Sequence, residues 1–171
     1  MTYAQDRQWS DRFIPHIKLI VGPRLMMESP FDVDTKQATD LIVLRARDMM
    51  VAARVRRPGY FSRYPNEFTI RSDRDSGAET ELQKVVNGFG DWMFYGHADE
   101  TERHIAHWHL IDLHAWRAHM IRDGQRDTRQ LKHGRKSNGD GTHFQWFDIT
   151  SFRGDPPILV ASSETALQVA A

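Results

Sequence analysis

Arginines set into segments that otherwise read as buried strands constrain most strongly what this chain can fold into. The stretch VAARVRR (51–57) follows the apolar TDLIVL (39–44), and FTIR (68–71) comes next. Side chains on a strand alternate between faces, so Arg54 and Arg56 share one face. By the same rule Glu67, Thr69 and Arg71 share one face of the following strand. Guanidinium groups held against a sheet are costly unless each meets water, a carboxylate or a bound anion. The fold must therefore provide a wetted or an acidic surface there.

The chain has 171 residues, 40% of them hydrophobic and 27% charged, which suits a single domain around one core. That domain is expected over 1–171, with its centre at 10–97 and a C-terminal strand and helix extension at 98–171. No run approaches the roughly 20 apolar residues that span a bilayer, and MTYAQDRQW lacks the apolar centre of a secretory leader. A cytoplasmic protein with no membrane partner is the expectation. The absence of cysteine removes disulfides and thiolate ligands, so imidazole and carboxylate are left as the strong metal ligands.

The 23 basic and 23 acidic residues leave a formal charge of +0, so attraction of the whole molecule to nucleic acid is not expected. Local asymmetry is the better signal. Between 45 and 74 eight arginines face Asp48, Glu67 and Asp73, and between 122 and 136 six basic residues face Asp123 and Asp127. Arginine outnumbers lysine, which suits bidentate recognition of phosphate or carboxylate. Codon bias in a GC-rich genome is the alternative source of that excess.

The spacing predicts a helix capped by Ser10 that carries Phe13, Ile14, Ile17 and Val21 and stops at Gly22-Pro23. Strands are predicted at 41–44, 49–57 and 68–72, the second ending at Pro58-Gly59. Ser76 and Glu79 have the spacing of a capping box, so a helix is expected to start there, with Ala78, Leu82, Val85, Val86 and Phe89 on its apolar face and Gly88 or Gly90 at its end. Further strands are expected at 91–95 and 105–112, a helix at 114–122, a polar loop at 123–142, and strands at 144–152 and 158–161. The result is an α+β fold, a mixed β-sheet flanked by helices.

Through Tyr95 the order helix, three strands, helix, strand resembles the core of the PD-(D/E)XK nuclease-like superfamily. The resemblance implies a restriction-endonuclease-like core that binds nucleic acid, with magnesium held by a strand aspartate and an acid-x-lysine pair on the next strand. Asp40 stands where the first acid would be, and Glu67 is the acid of Glu67-Phe68-Thr69, where no lysine follows. On this resemblance Asp40 and Glu67 are the catalytic and magnesium-binding candidates of a metal site that departs from the pattern. ATDLIVL, RVRRPGY, FTIR, TELQK and GFGDWMFYGHAD are also similar to segments of uncharacterised bacterial and prophage proteins.

Asp40, Arg54, Arg56, Glu67 and Arg71 form the first constellation: two carboxylates for a divalent ion, and arginines for phosphate. The bland alternative is a set of salt bridges, with Arg54 or Arg56 satisfying Glu67 across adjacent strands. A non-enzymatic accessory protein that presents the same face to an acidic protein partner is a second reading. The third rests on His107 and His109, which share a strand face and could ligate zinc or iron if His97 or His114 returns to meet them. Trp92, Phe94, Tyr95, Trp108, Trp116, Trp146, Phe147 and Phe152 could stack bases but suit a core. Asn138-Gly-Asp-Gly141 reads as a turn.

Overall fold

The computed structural model describes residues 3–28, 41–43, 49–74, 79–138 and 141–164. The chain gathers into two compact units, Met1–Met49 and Met50–Ala171. In the first, helices α1 (Tyr3–Asp11) and α2 (Ile14–Val21) are followed by a 3-10 turn (Gly22–Leu25) and strand β1 (Met26–Glu28), which pairs antiparallel with β2 (Leu41–Val43). Where one helix capped by Ser10 is expected, the structure has two. Ser10 lies inside α1, and its hydroxyl donates to the Arg7 carbonyl at 3.0 Å, the local bond that serine favours within a helix. Pro15 sits in the first turn of α2, where its missing N–H has no intrahelical partner to lose.

The second unit is α+β. Strands β3 (Val51–Arg56), β5 (Trp92–Ala98), β6 (Ile105–Asp112) and β9 (Leu159–Ser162) form a mixed sheet in the order β3-β5-β6-β9. Only β3–β5 is parallel. A parallel pair needs a long crossover. Here it carries helix α3 (Tyr60–Arg63), strand β4 (Glu67–Arg74) and helix α4 (Glu81–Val86). A second, antiparallel sheet runs β4-β8-β7, from β7 (His133–Ser137) and β8 (Thr142–Asp148), and helix α5 (Leu113–Gly124) follows β6. The three strands expected at 41–44, 49–57 and 68–72 therefore lie in three different sheets.

One hydrophobic core joins both sheets of this unit to α5. It contains Phe68, Ile70, Met93, Tyr95, Ile111, Trp116, Phe147 and Ile158, so residues after 98 help to build the core. Phe68 and Phe147 face each other across the β4–β8 ladder with ring centroids 5.1 Å apart, and Trp116 meets Phe147 edge-on at 5.3 Å. On the opposite face of the mixed sheet Phe94 stacks on Trp108 at 6.0 Å.

Caps fix where helices begin. The Asp112 carboxylate accepts from His114 N–H and Ala115 N–H at 2.8 and 2.9 Å, turning the end of β6 into the start of α5. The box that opens α4 is Thr80 with Gln83, four residues beyond the expected pair: Thr80 N–H donates to Gln83 Oε1 at 2.7 Å. Gly88, at φ +95°, takes the left-handed conformation just past the helix end. The loop expected at 123–142 holds strand β7. Its sequence HGRKS has no apolar alternation, because β7 is an edge strand with a largely exposed surface. Strand β8 stops at Asp148, whose carboxylate accepts from Thr150 N–H at 2.9 Å and opens a 3-10 turn (Ile149–Ser151) where strand was expected.

Candidate functional site

Strand β3 delivers Arg54 to the free edge of β4. Its Nη1 donates to the carbonyl and the hydroxyl of Thr69, both at 3.1 Å, and its Nη2 donates to Glu81 Oε2 at 2.7 Å. The same Glu81 oxygen accepts from the backbone N–H of Arg71 at 3.2 Å. Edge groups of β4 are thus satisfied by an ion pair rather than by another strand. The acid that meets Arg54 is Glu81 of α4, and not the cross-strand Glu67 of the salt-bridge alternative. Arg56 turns back over the Tyr60 ring at 4.2 Å, a cation–π contact. Arg71 joins this site through its backbone, and its side chain is half-buried.

Glu67 begins β4 directly opposite Asp148 in the ladder. Burial raises its pKa above the usual carboxylate range, opposed by the charge of Lys136 and reinforced by Asp148. Asp40 lies outside the described residues. Among the described residues no group of three or more His, Asp or Glu side chains is arranged to hold a metal ion. Glu67 and Asp148 bring two carboxylates together, without a third described acid or histidine arranged beside them for magnesium.

His107 and His109 do share a face of β6, and in the β5–β6 ladder they stand opposite His97 and Tyr95. That face is covered by α3. Phe61 lies flat on His107, ring centroids 3.7 Å apart and planes within 2°, and meets His97 edge-on at 5.3 Å. His109 Nε2–H donates to the Pro65 carbonyl at 3.1 Å. His114 points elsewhere: it donates to Asp91 at 3.0 Å while its Nδ1 accepts from Arg117 at 2.9 Å. His97 and His107 are packed against rings and His109 and His114 bond to neighbours, and among the described residues they form no ligand set.

The more open feature is the face of β7 and β8 that turns away from the core. Phe144 and Trp146 of β8 stand opposite Lys136 and Gly134 of β7. Trp146 lies against Gly134 so closely that a Cβ there would sit 2.8 Å from its Nε1, so only glycine leaves room for the indole. The Lys136 ammonium hangs 5.0 Å from the ring centre of Tyr64 and 5.9 Å from that of Trp146. Tyr64 is 36% exposed, and Phe144 and Trp146 are half-buried. By sequence Trp146 suits a core as well as base stacking, and here it is half-buried on the face away from the core. The signal that could have found it is Gly134 two residues before Lys136 in an otherwise basic stretch.

Among the described residues no helix is long and apolar enough to cross a membrane. Comparison with known protein families, with characterised proteins and with solved structures returned no match.

Proposed function

We propose that this protein binds single-stranded nucleic acid on the aromatic and cationic face of β7 and β8. Trp146, Phe144 and Tyr64 offer ring faces on which bases stack without regard to sequence, and Lys136 stands beside them for the backbone phosphates. The observation that carries this reading is the placement of the Lys136 ammonium over the Tyr64 and Trp146 rings, with the indole packed closely against Gly134. The Lys136 charge also acts on Glu67, while the residue stays exposed at the rim of two partly exposed rings. The formal charge of +0 fits contacts confined to one face instead of attraction by the whole surface.

The test is fluorescence anisotropy with a labelled 12-nucleotide thymidine strand bearing a 5′-hydroxyl. Trp146→Ala is expected to weaken binding roughly ten-fold or more, the effect of one lost stacking partner. Lys136→Ala is expected to weaken it and to lower the slope of log affinity against log salt by about 1. Binding that is unaltered in both variants, or absent from the parent protein at low salt, rules the face out.

A further inference from the structure

The C-terminal half of α5, the turn at 125–132 and the 3-10 turn after β8 enclose a cleft of about 260 Å³. Its walls bear Arg122, Arg126, Lys132 and Arg153, and the buried Asp123 lines it from α5. The guanidinium groups are anchored largely by neutral oxygens. Arg122 donates to the Ala118 and Asp155 carbonyls at 3.4 and 2.8 Å, and Arg153 to the Thr150 carbonyl at 3.5 Å. Arg126 donates to the Gln130 amide oxygen at 2.5 Å and lies 3.9 Å from Asp123. Four cations thus meet one carboxylate: Arg126 pairs with it, while Arg122 and Arg153 are held by carbonyls that orient them without neutralising them.

Asp123 is 2% exposed. Its Oδ1 accepts from Gln130 N–H and Leu131 N–H at 2.8 and 3.3 Å, which fixes the turn, while Oδ2 is buried with no hydrogen-bond partner. A buried carboxylate oxygen left without a donor is costly, so a ligand that brings a hydroxyl gains there. The space exceeds the cavity of about 150 Å³ that accommodates a benzene ring, so it admits a phosphate together with the small carbon frame attached to it.

We propose that this cleft binds a phosphate monoester with a neighbouring hydroxyl, the cations holding the phosphate dianion and Asp123 Oδ2 accepting from the hydroxyl. Such a group occurs on a free pentose phosphate or nucleotide and at the 5′-phosphorylated end of an RNA strand, where the 2′-hydroxyl stays free. The cleft and the Trp146 face share no residue, so this site stands or falls independently of the proposed function.

Calorimetric titration of the full chain with ribose 5-phosphate, methyl phosphate and ribose is the test. Ribose 5-phosphate is expected to bind about ten-fold or more tightly than methyl phosphate, and ribose not at all. Lys132→Ala combined with Arg153→Ala, both exposed positions, is expected to cost at least about ten-fold in that affinity with the thermal transition unmoved. The same double variant should bind the 5′-hydroxyl thymidine strand like the parent. A 5′-phosphorylated uridine strand that binds more tightly than its 5′-hydroxyl counterpart, while ribose 5-phosphate does not bind, assigns the site to strand ends; the reverse assigns it to a small phosphate. Failure of both probes, equal affinity for ribose 5-phosphate and methyl phosphate, or indifference to the double variant overturns the proposal.

Discussion

Arg54→Ala is expected to lower the free energy of unfolding by about 3 kcal/mol, read as an earlier urea midpoint at unchanged slope. The side chains of Arg54 and Glu81 are 19% and 27% exposed and lie 2.7 Å apart, so removing one leaves the other charge partly buried without its counterpart. The loss extends beyond the pair. Thr69 loses two donated hydrogen bonds, and Glu81 is left with the Arg71 N–H alone. Glu81→Ala should cost a similar amount, and the double variant much less than the sum, because both substitutions remove the same interaction. Strict additivity, or a change below about 0.5 kcal/mol in either single variant, would mean that the edge of β4 is held by other contacts.

Which parts of this arrangement the sequence discloses follows from how far each interaction reaches. The apolar segments expected at 91–95 and 105–112 are legible because a short apolar run is a local signal, and both lie in central strands buried along most of their length. Strand β7 is illegible by the same criterion: at a wet edge nothing requires apolar alternation. Two capping boxes compete before α4, Ser76 with Glu79 and Thr80 with Gln83, and local spacing does not choose between them. The choice places Glu81 in the first turn of α4, within reach of Arg54. That contact links residues 27 positions apart on different elements, so no periodicity reveals it. Read as a helix, Glu81 falls at the shoulder of the apolar face, and that shoulder is what meets the edge of β4. The arginines of β3 were therefore recognisable as a demand for partners, while the identity of the partner belongs to the tertiary fold. The basic run at 122–136 was visible as charge, but its division into a cleft and an aromatic face depends on where β7 begins.

Acidification from pH 7.5 to pH 5 is expected to remove about 2 kcal/mol of stability through His97, and further acidification to pH 4 about 1 kcal/mol more. His97 is 3% exposed, set edge-on between the rings of Phe61 and Tyr95, and neither of its ring nitrogens has a hydrogen-bond partner. Burial drives its pKa from an ordinary 6.5 down to about 4, with the charges of His109, Arg56 and His107 acting in the same direction. The unfolded chain therefore takes up a proton near pH 6.5 that the folded chain refuses until about pH 4. Stability is full above the upper value, declines between the two, and loses nothing more from this residue below the lower one. His109, also lowered chiefly by burial, adds to the decline. The aspartates held below their ordinary range, Asp73, Asp91 and Asp123 among them, act in a more acidic window, because their contribution is lost only as the pH falls through carboxylate values. Urea midpoints at pH 7.5, 6 and 5 separate the two windows, and His97→Leu should flatten the upper one while leaving the acid limb in place. A decline as steep in His97→Leu as in the parent would transfer the effect to His109 or to the fold at large.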